Sequence, residues 1–572
     1  MHPYFFAFNP FSILLPMRLY PIWNIRHSEP YSSLEDTLLQ VRSLSRADLE
    51  VGPEVMHDPA LLRDMDRAVE RIVEAVKQRE KIVVFGDYDV DGVSSTAVML
   101  DFLETVEADC AYLLPDRHTD GYGLKPPGVE RAIALGARLI ITVDNGISAF
   151  DALQVARDRG VDVVVVDHHQ QLEDLPDALA IVNPNRRDCS YPFKELAGVG
   201  VTFKLVQALS DSFFAPDERR RYLNSLLDLV VLGTVADVMP VLGENRVFVQ
   251  RGLQILNNTT RPGLRQLKAV AGYADKPVKT TSVGFHIGPR INVAGRLEKA
   301  DMALDLIRAS SDAQAAQLAD ELNKLNARRQ ALQREGMEEA ESLVSSEDLQ
   351  RDRIIVVLGD WKLGIVGLLA GKLCEKHMRP AVVCSEDAGG GLYVGSARSI
   401  PAYDISRGIS SCAAHLVAYG GHPAAAGFSL RADAFEAFRM GLIEHANSHI
   451  REEDMQAELD VDIELAPRDL HISTIERLAA LEPFGNGNEA PLFAMRRCKV
   501  LSRRQIGKGG THMKVELEAE GRHCNALWWN RGDVVDKIHP GQRVSAAFVL
   551  EEDTYAGGGA VQMVIKDMYL ER

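Results

Sequence analysis

Between residues 81 and 167 the chain repeats one pattern that leaves few folds open. Short apolar runs, KIVVF (81–85), RLIITV (138–143) and VDVVVV (161–166), each lead into a polar motif that begins with or soon reaches an aspartate. CAYLL (110–114) is a further run of the same kind, and between the runs lie the helical stretches SSTAVMLDFLETV, VERAIALGA and AFDALQVARDRG. Strand, helix and strand at this spacing predict βαβ units and a parallel sheet. In such sheets the carboxyl ends of the strands bind ligands. Asp87, Asp144 and Asp167 would therefore meet at one sheet edge, although three separate strands carry them.

The first of these motifs, DYDVDG (87–92), places Asp87, Asp89 and Asp91 at alternate positions beside a buried strand. Uncompensated, such carboxylates repel one another and lose hydration. A cation resolves both problems. The run also resembles the start of a calcium loop, but position 12 of that loop requires glutamate and is Val98 here. Taken alone, Asp144-Asn145-Gly146 would be a turn and His168-His169 a structural or surface pair. Together, after successive strands, they form a constellation with Asp237, which lies in the apolar stretch LLDLVVLGTVADVMPV, read as a buried helix. Carboxylate and imidazole ligands without cysteine favour Mn²⁺ or Mg²⁺ over zinc. So many acids imply two ions, which would activate water, polarise a phosphoryl oxygen and stabilise a leaving oxygen.

At 572 residues the chain needs more than one core. Its net charge of −17 argues against a broadly basic surface for duplex DNA, while leaving room for a local basic groove. The seven cysteines form no CxxC pair, which suggests neither zinc site nor disulfide framework and points to the cytoplasm. The apolar start, MHPYFFAFNPFSILLPMRLYPIW, lacks a basic n-region and a clear cleavage site. It is expected to be a loose extension, with Met17 as a working start. No later stretch reaches the ~20 apolar residues of a membrane span.

Downstream, residues 312–346 lack Gly and Pro for most of their length and predict one long connector helix. RIIVVLGDWKLGIVGLLAGKL then opens a second α/β unit. From about residue 455, short alternating strands separated by glycine-containing turns predict a small barrel of the OB type. The expected boundaries are an N-terminal extension (1–48), a catalytic domain (49–311), the helix (312–346), a smaller α/β domain (347–452) and the barrel (453–572). Arg496, Arg497, Lys499, Arg503, Arg504 and Lys508 form a basic island in this acidic chain, followed by Trp528 and Trp529. Basic groups with aromatics suit single strands. Adjacent strand residues face opposite ways, so one tryptophan at most is expected to stack on a base.

DYDVDG, TVDNGI, VVDHHQ and LGTVADVMPV resemble, in order and spacing, the motifs of the DHH phosphoesterase family, and GGHPAAAGF (420–428) resembles the motif of its companion DHHA1 domain. PDRHTDGYGL (115–124), GPRINVAGRL (288–297), GSARS (395–399) and LEPFGNGNEAPLF (481–493) narrow the resemblance to RecJ-type single-stranded-DNA-specific exonucleases, from about residue 50 onward. The resemblance implies an α/β fold: a parallel-sheet DHH domain, a connector helix, a smaller α/β DHHA1 domain and an OB-like barrel. It implies a metal-dependent 5′→3′ exonuclease releasing mononucleotides from single-stranded DNA in repair and recombination. Single-strand-binding protein and a RecQ-type helicase are the partners it suggests. Hydrolysis of short oligoribonucleotides, cyclic dinucleotides or pyrophosphate is the alternative within the superfamily, and a non-catalytic scaffold at replication or repair sites the alternative outside it.

The same resemblance assigns residues. Asp89 and Asp91 would be metal ligands, with Asp87 a ligand or a close neighbour of one. Asp144 would bridge the ions, His168 would bind one and Asp237 would complete the other. His169 would orient the scissile phosphate or assist proton transfer, and Asp167 would fix a histidine tautomer. Arg117, Ser396 and Arg398 would hold a terminal 5′-phosphate, Ser396 and Arg398 from a glycine-marked loop. Arg290, Asn292 and Arg296, in a strand-contacting loop, and His422 would touch the DNA. A chain ending near residue 450 is expected to keep the metal site and still cleave.

Overall fold

The computed structural model describes residues 17–116, 123–171, 174–387, 390–553 and 559–571. Arg117 lies outside them. The chain divides into two compact units.

The first unit comprises residues 47–329 together with 483–489. Its sheet has five parallel strands in the order Cys110–Leu113, Ile82–Phe85, Leu139–Val143, Asp162–Val166, Ala180–Val182. Successive side chains of Ile82–Phe85 alternate between two cores: Ile82 and Val84 on one face, Val83 and Phe85 on the other. Helices cover both faces, so the strands are apolar at nearly every position rather than alternating. Helix Val90–Thr105 packs on the first face, and Pro126–Ala134 and Phe150–Asp158 on the second. The chain leaves Ile82–Phe85 first toward one side of the sheet and later returns on its other side at Leu139–Val143. The strand order therefore reverses between these two, and a crevice opens at their carboxyl ends. Asp87 and Asp144 follow those two strands directly.

Helices Gly198–Ser210, Leu227–Ala236 and Gly243–Asn257 thicken the first face. The first two are apolar nearly all round, as fully buried helices must be. A polar network ties the first of these helices to the third. Lys204 and Glu244 are both fully buried, with Nζ 2.5 Å from Oε1. Tyr191 donates its hydroxyl to Glu244 Oε2 at 2.7 Å, and Lys204 Nζ donates to the His57 carbonyl at 2.8 Å. Glu244→Ala would strand a buried ammonium, and we expect it to destabilise this unit by about 3–5 kcal/mol. Urea denaturation of the purified variant measures the loss; a midpoint equal to wild type would show the network to be dispensable.

The second unit comprises residues 1–46, 330–482 and 490–572. It holds a five-stranded sheet ordered Leu416–His422, Ala425–Arg431, Leu392–Arg398, Ala381–Glu386, Ile355–Gly359, antiparallel except for its last pair. It also holds a five-stranded barrel in which Phe493–Ile506 pairs with both His512–Ala519 and Arg543–Glu552, closing the circuit through Arg522–Trp528 and Val561–Leu570. Helix Asp312–Ser342 begins in one unit and ends in the other. It stops four residues short of the expected end, and Ser345 caps a separate short helix, Ser346–Arg351, by accepting from the Asp348 amide.

The N-terminal expectation needs correction from residue 17 onward. Strand Ile22–His27 pairs in parallel with Glu458–Glu464, which in turn joins the barrel strand Phe493–Ile506. The fully buried Asp567 accepts from Leu19 N (2.7 Å), Tyr20 N (3.2 Å) and Trp23 Nε1 (2.8 Å). Arg42 grips Asp462 with two hydrogen bonds, at 2.9 and 2.8 Å. Residues 17–46 are thus part of the second unit, not a loose extension.

Candidate metal centre

Each acidic residue is aimed by local backbone. Asp89 caps helix Val90–Thr105: its Oδ1 accepts from Asp91 N (2.9 Å) and Gly92 N (3.0 Å), two of the amides that a helix start leaves without partners. Asn292 Oδ1 takes a third, from Val90 N at 3.0 Å. Asp91 reaches the start of a second helix, where Gly198 N and Val199 N donate to its two oxygens at 2.7 and 2.9 Å. Asp144 stands in the left-handed region at φ +63°, where aspartate is among the better tolerated residues. Two glycines let helices approach this closely. A Cβ at Gly198 would stand 2.4 Å from Asp144 Oδ1, and one at Gly233 2.5 Å from Asp91 Oδ1.

The ligand atoms then fall into overlapping triplets, each with its atoms within 4.8 Å of one another: Asp87, Asp89 and Asp144; Asp91, His168 and Asp237; and Asp144, His168 and His169. His168 Nε2 is 3.3 Å from Asp144 Oδ1, 3.6 Å from Asp237 Oδ2 and 3.9 Å from Asp91 Oδ2. Asp144 is shared between triplets, as a bridging carboxylate would be. His168 and Asp237, expected on different ions, share a triplet with Asp91.

Asp167 belongs to none of these triplets. Its Oδ1 accepts from His168 N, His169 N and His169 Nδ1 (2.7, 3.1 and 2.7 Å), and its Oδ2 from Ile147 N (2.9 Å). Burial alone would raise its pKa, but the hydrogen bond and charge of His169 prevail and hold it at about 2. Burial opposes the charge on His169 as well, yet Asp167 raises that imidazole to about 9. His168 is lowered to about 4 by burial and by the neighbouring His169. Three acids of the cluster move upward: Asp91 to about 7 through burial and Asp89, Asp237 to about 8 through burial, Asp91 and Asp89, and Asp144 well above its usual range through burial and the charges of Asp91, Asp89, Asp87 and Asp237. Without a cation these carboxylates cannot all ionise. Asp237 Oδ2 is buried and accepts no hydrogen bond. A hard oxygen-and-imidazole donor set, mutually repulsive and with an orphaned oxygen aimed inward, fits divalent cations.

Several supporting residues escaped sequence reasoning. Asn183 donates its side-chain amide to the His169 carbonyl at 2.9 Å, and Asn185 donates to the His168 carbonyl. The signals were NPN after the strand AIV, and AGVG ahead of an apolar helix.

The expected DNA contacts are distributed differently. GPRINVAGRL is helical, in Gly288–Asn292 and Ala294–Leu297, and not a loop. Arg290 is occupied by the carbonyls of His286 (2.6 Å) and Val270 (3.4 Å) and by Asn323 Oδ1 (3.0 Å), and Asn292 by the Val90 amide. Both hold the unit together. Arg296 is half-buried. In the second unit, Ser396 and Arg398 lie on strand Leu392–Arg398 and not in a loop, with Arg398 Nη1 3.2 Å from Ser396 Oγ. His422 is exposed at the end of Leu416–His422. Trp528 is buried beneath the Arg531 guanidinium (4.7 Å), while Trp529 is half-buried, edge-on to His512.

The chain matches the DHH family N-terminal domain over residues 81–234, the DHHA1 domain over 352–447 and the RecJ OB domain over 461–567. The single-stranded-DNA-specific exonuclease RecJ of Dickeya dadantii is 35% identical over 540 residues, covering 91% of this chain and 93% of that protein. The Bacillus subtilis protein of the same name is 37% identical over 511 residues, covering 89% of this chain and 64% of that longer protein. The crystal structure of RecJ from Thermus thermophilus in complex with Mn²⁺ superimposes with a TM-score of 0.82 at 28% identity, over 96% of this chain and 80% of that one.

Proposed function

The chain belongs to the RecJ family, and from that premise we propose that it is a divalent-metal-dependent exonuclease that removes mononucleotides from the 5′ end of single-stranded DNA. The observation that carries this reading is the set of overlapping carboxylate and imidazole triplets at the sheet's reversal point. Mn²⁺ or Mg²⁺ bound there would supply an activated water and electrostatic stabilisation of the phosphoryl transition state. Asp87, Asp89, Asp91, Asp144, His168 and Asp237 are the proposed ligands.

The chain's own residues do the rest. Asp89 commits one oxygen to the helix start and keeps the other for a cation. Asp167 anchors the His169 imidazole through Nδ1 and favours its charged form, which suits it to orient the scissile phosphate or to assist proton transfer. Ser396 and Arg398 suit a terminal phosphate, by charge-assisted hydrogen bonding. Arg117, Arg296 and His422 are the further proposed strand contacts. Arg290 and Asn292 are reassigned to support. In the barrel, Arg496, Arg497, Lys499, Arg504 and Lys508 are exposed and would pair with backbone phosphates, while Arg503 is half-buried and ion-paired to Asp536.

The division of labour follows: catalysis in 49–311, a connector helix, phosphate reading in 347–452 and strand holding in 453–572. Single-strand-binding protein and a RecQ-type helicase would deliver such an enzyme to its substrate. The seven free cysteines support work in the cytoplasm, and no helix among the described residues is long and apolar enough to cross a membrane.

The test is digestion of a 5′-phosphorylated, end-labelled oligonucleotide with Mn²⁺. Labelled mononucleotide should accumulate from the first time point on the single strand, a blunt duplex of the same sequence should persist, and chelation should stop the reaction. Equal rates on both substrates, or internal fragments as first products, would overturn the reading.

A further inference from the structure

The stretch LEPFGNGNEAPLF contributes no group to the metal centre. Yet its residues 483–489 fold with the first unit, although helix Ile472–Ala479 before them and strand Phe493–Ile506 after them belong to the second. The loop closes on itself: Gly485 N donates to Asn488 O (2.8 Å), Asn488 N to Gly485 O (3.1 Å) and Asn488 Nδ2 to Pro483 O (3.1 Å). Thr280 Oγ1 and Arg246 Nη1 hold it from outside, through the carbonyls of Phe484 and Pro483.

Closed in this way, the loop presents Asn486 to the chain that leaves Asp237. Asn486 O accepts from Val241 N at 2.8 Å, and Asn486 Nδ2 donates to Val238 O at 2.7 Å. Gly485 fits against the same segment so closely that a Cβ there would stand 2.5 Å from Val241 Cγ2. Val238 is the conspicuous residue of this turn. Its φ is +58°, a region that β-branched side chains avoid, and 64% of it is exposed, so side-chain packing does not hold it there. Hydrogen bonds do: Val238 N to Val235 O (3.2 Å), Met239 N to Thr234 O (3.2 Å) and Asn486 to the Val238 carbonyl. The turn ends helix Leu227–Ala236 at Asp237, so its backbone sets where that carboxylate points.

We propose that Asn486 is a positioning residue for Asp237, locking the strained Val238 peptide from a loop about 250 positions away in sequence. The inference rests on Asp237 being a metal ligand. Because Asn486 is exposed, removing its side chain leaves no buried group unsatisfied, and the fold should survive.

The experiment uses the full-length chain, with Mn²⁺ binding followed by calorimetry without DNA, thermal melting of the metal-free protein, and cleavage. Asn486→Ala should weaken Mn²⁺ binding about three- to tenfold, the worth of one hydrogen bond, with melting of the metal-free protein unchanged. Val238→Gly removes the strain that drives the turn away from its conformation, so the double variant V238G/N486A should recover most of the lost affinity. Mn²⁺ affinity of Asn486→Ala equal to wild type would overturn the proposal. So would a double variant as weak as Asn486→Ala alone, which would show that Asn486 does not act through the Val238 backbone. Absence of Mn²⁺ binding by the wild-type chain would instead refute the metal centre itself.

Discussion

Asp144→Asn should lower cleavage by about three orders of magnitude or more, the scale on which a group acting jointly with others fails, while leaving the metal-free fold as stable as wild type or more so. Asp144 sits in two of the three ligand triplets, so its loss disables both sides of the centre. The sign of the stability change follows from its pKa. Burial and the charges of Asp91, Asp89 and Asp87 raise the folded-state value. A carboxyl raised in the folded state costs stability as pH climbs from its unfolded value through its folded one. At neutral pH an uncharged amide removes that cost, and asparagine tolerates the left-handed backbone at φ +63° as aspartate does. Thermal melting with and without Mn²⁺ checks this. The variant should melt no lower than wild type in chelator and gain much less from Mn²⁺. A wild-type Mn²⁺-induced shift would remove Asp144 from the ligand set.

The second large effect reverses an expectation drawn from the sequence. A chain ending near residue 450 should lose cleavage even on short oligonucleotides that need no barrel to hold them. Truncation there removes residues 483–489, which belong to the first unit. The fully buried Arg246 would lose the Pro483 carbonyl, and Val241 N and the Val238 carbonyl would lose Asn486. The buried donors among these, on Arg246 and Val241, cost about 1–3 kcal/mol each when left unsatisfied, and the turn bearing Asp237 would be freed. Turnover on a six-nucleotide strand, with and without an added synthetic peptide of residues 481–491, measures the effect. Turnover by the truncated chain equal to full length would show that the loop is not part of the catalytic unit. Partial recovery with peptide would confirm its place.

Local patterns carried much of the molecule. The buried parallel strands were legible because both faces are covered, which forces continuous apolar runs such as IVVF and VVVV. Asp87, Asp144 and Asp167 were legible because each stands within two residues of the end of a strand. Strand Phe493–Ile506 was not recognised as a strand: Arg496-Arg497 breaks its alternation where a bulge shifts the register between Met495 and Cys498, with Arg497 at φ +55°. The pairing of Ile22–His27 with Glu458–Glu464 was hidden for a different reason. A parallel partner more than 400 residues away leaves no local trace.

What the sequence determined by itself was therefore the chemistry and its address: acids and imidazoles at the carboxyl ends of a parallel sheet, an α/β architecture, and a barrel beyond. Periodicity and strand-end position are short-range properties, and side-chain type sets the donor set. Only the tertiary structure decided which partners each group meets. It placed Gly198 and Gly233 where any Cβ would strike Asp144 or Asp91, gave Asn183 and Asn185 the histidine carbonyls, and engaged Arg290 and Asn292 in hydrogen bonds inside the unit. It also folded a loop from the far side of the chain against the turn at Asp237. These are hydrogen bonds and close contacts between segments distant in sequence, formed because a buried polar group must find a partner wherever the packed chain supplies one.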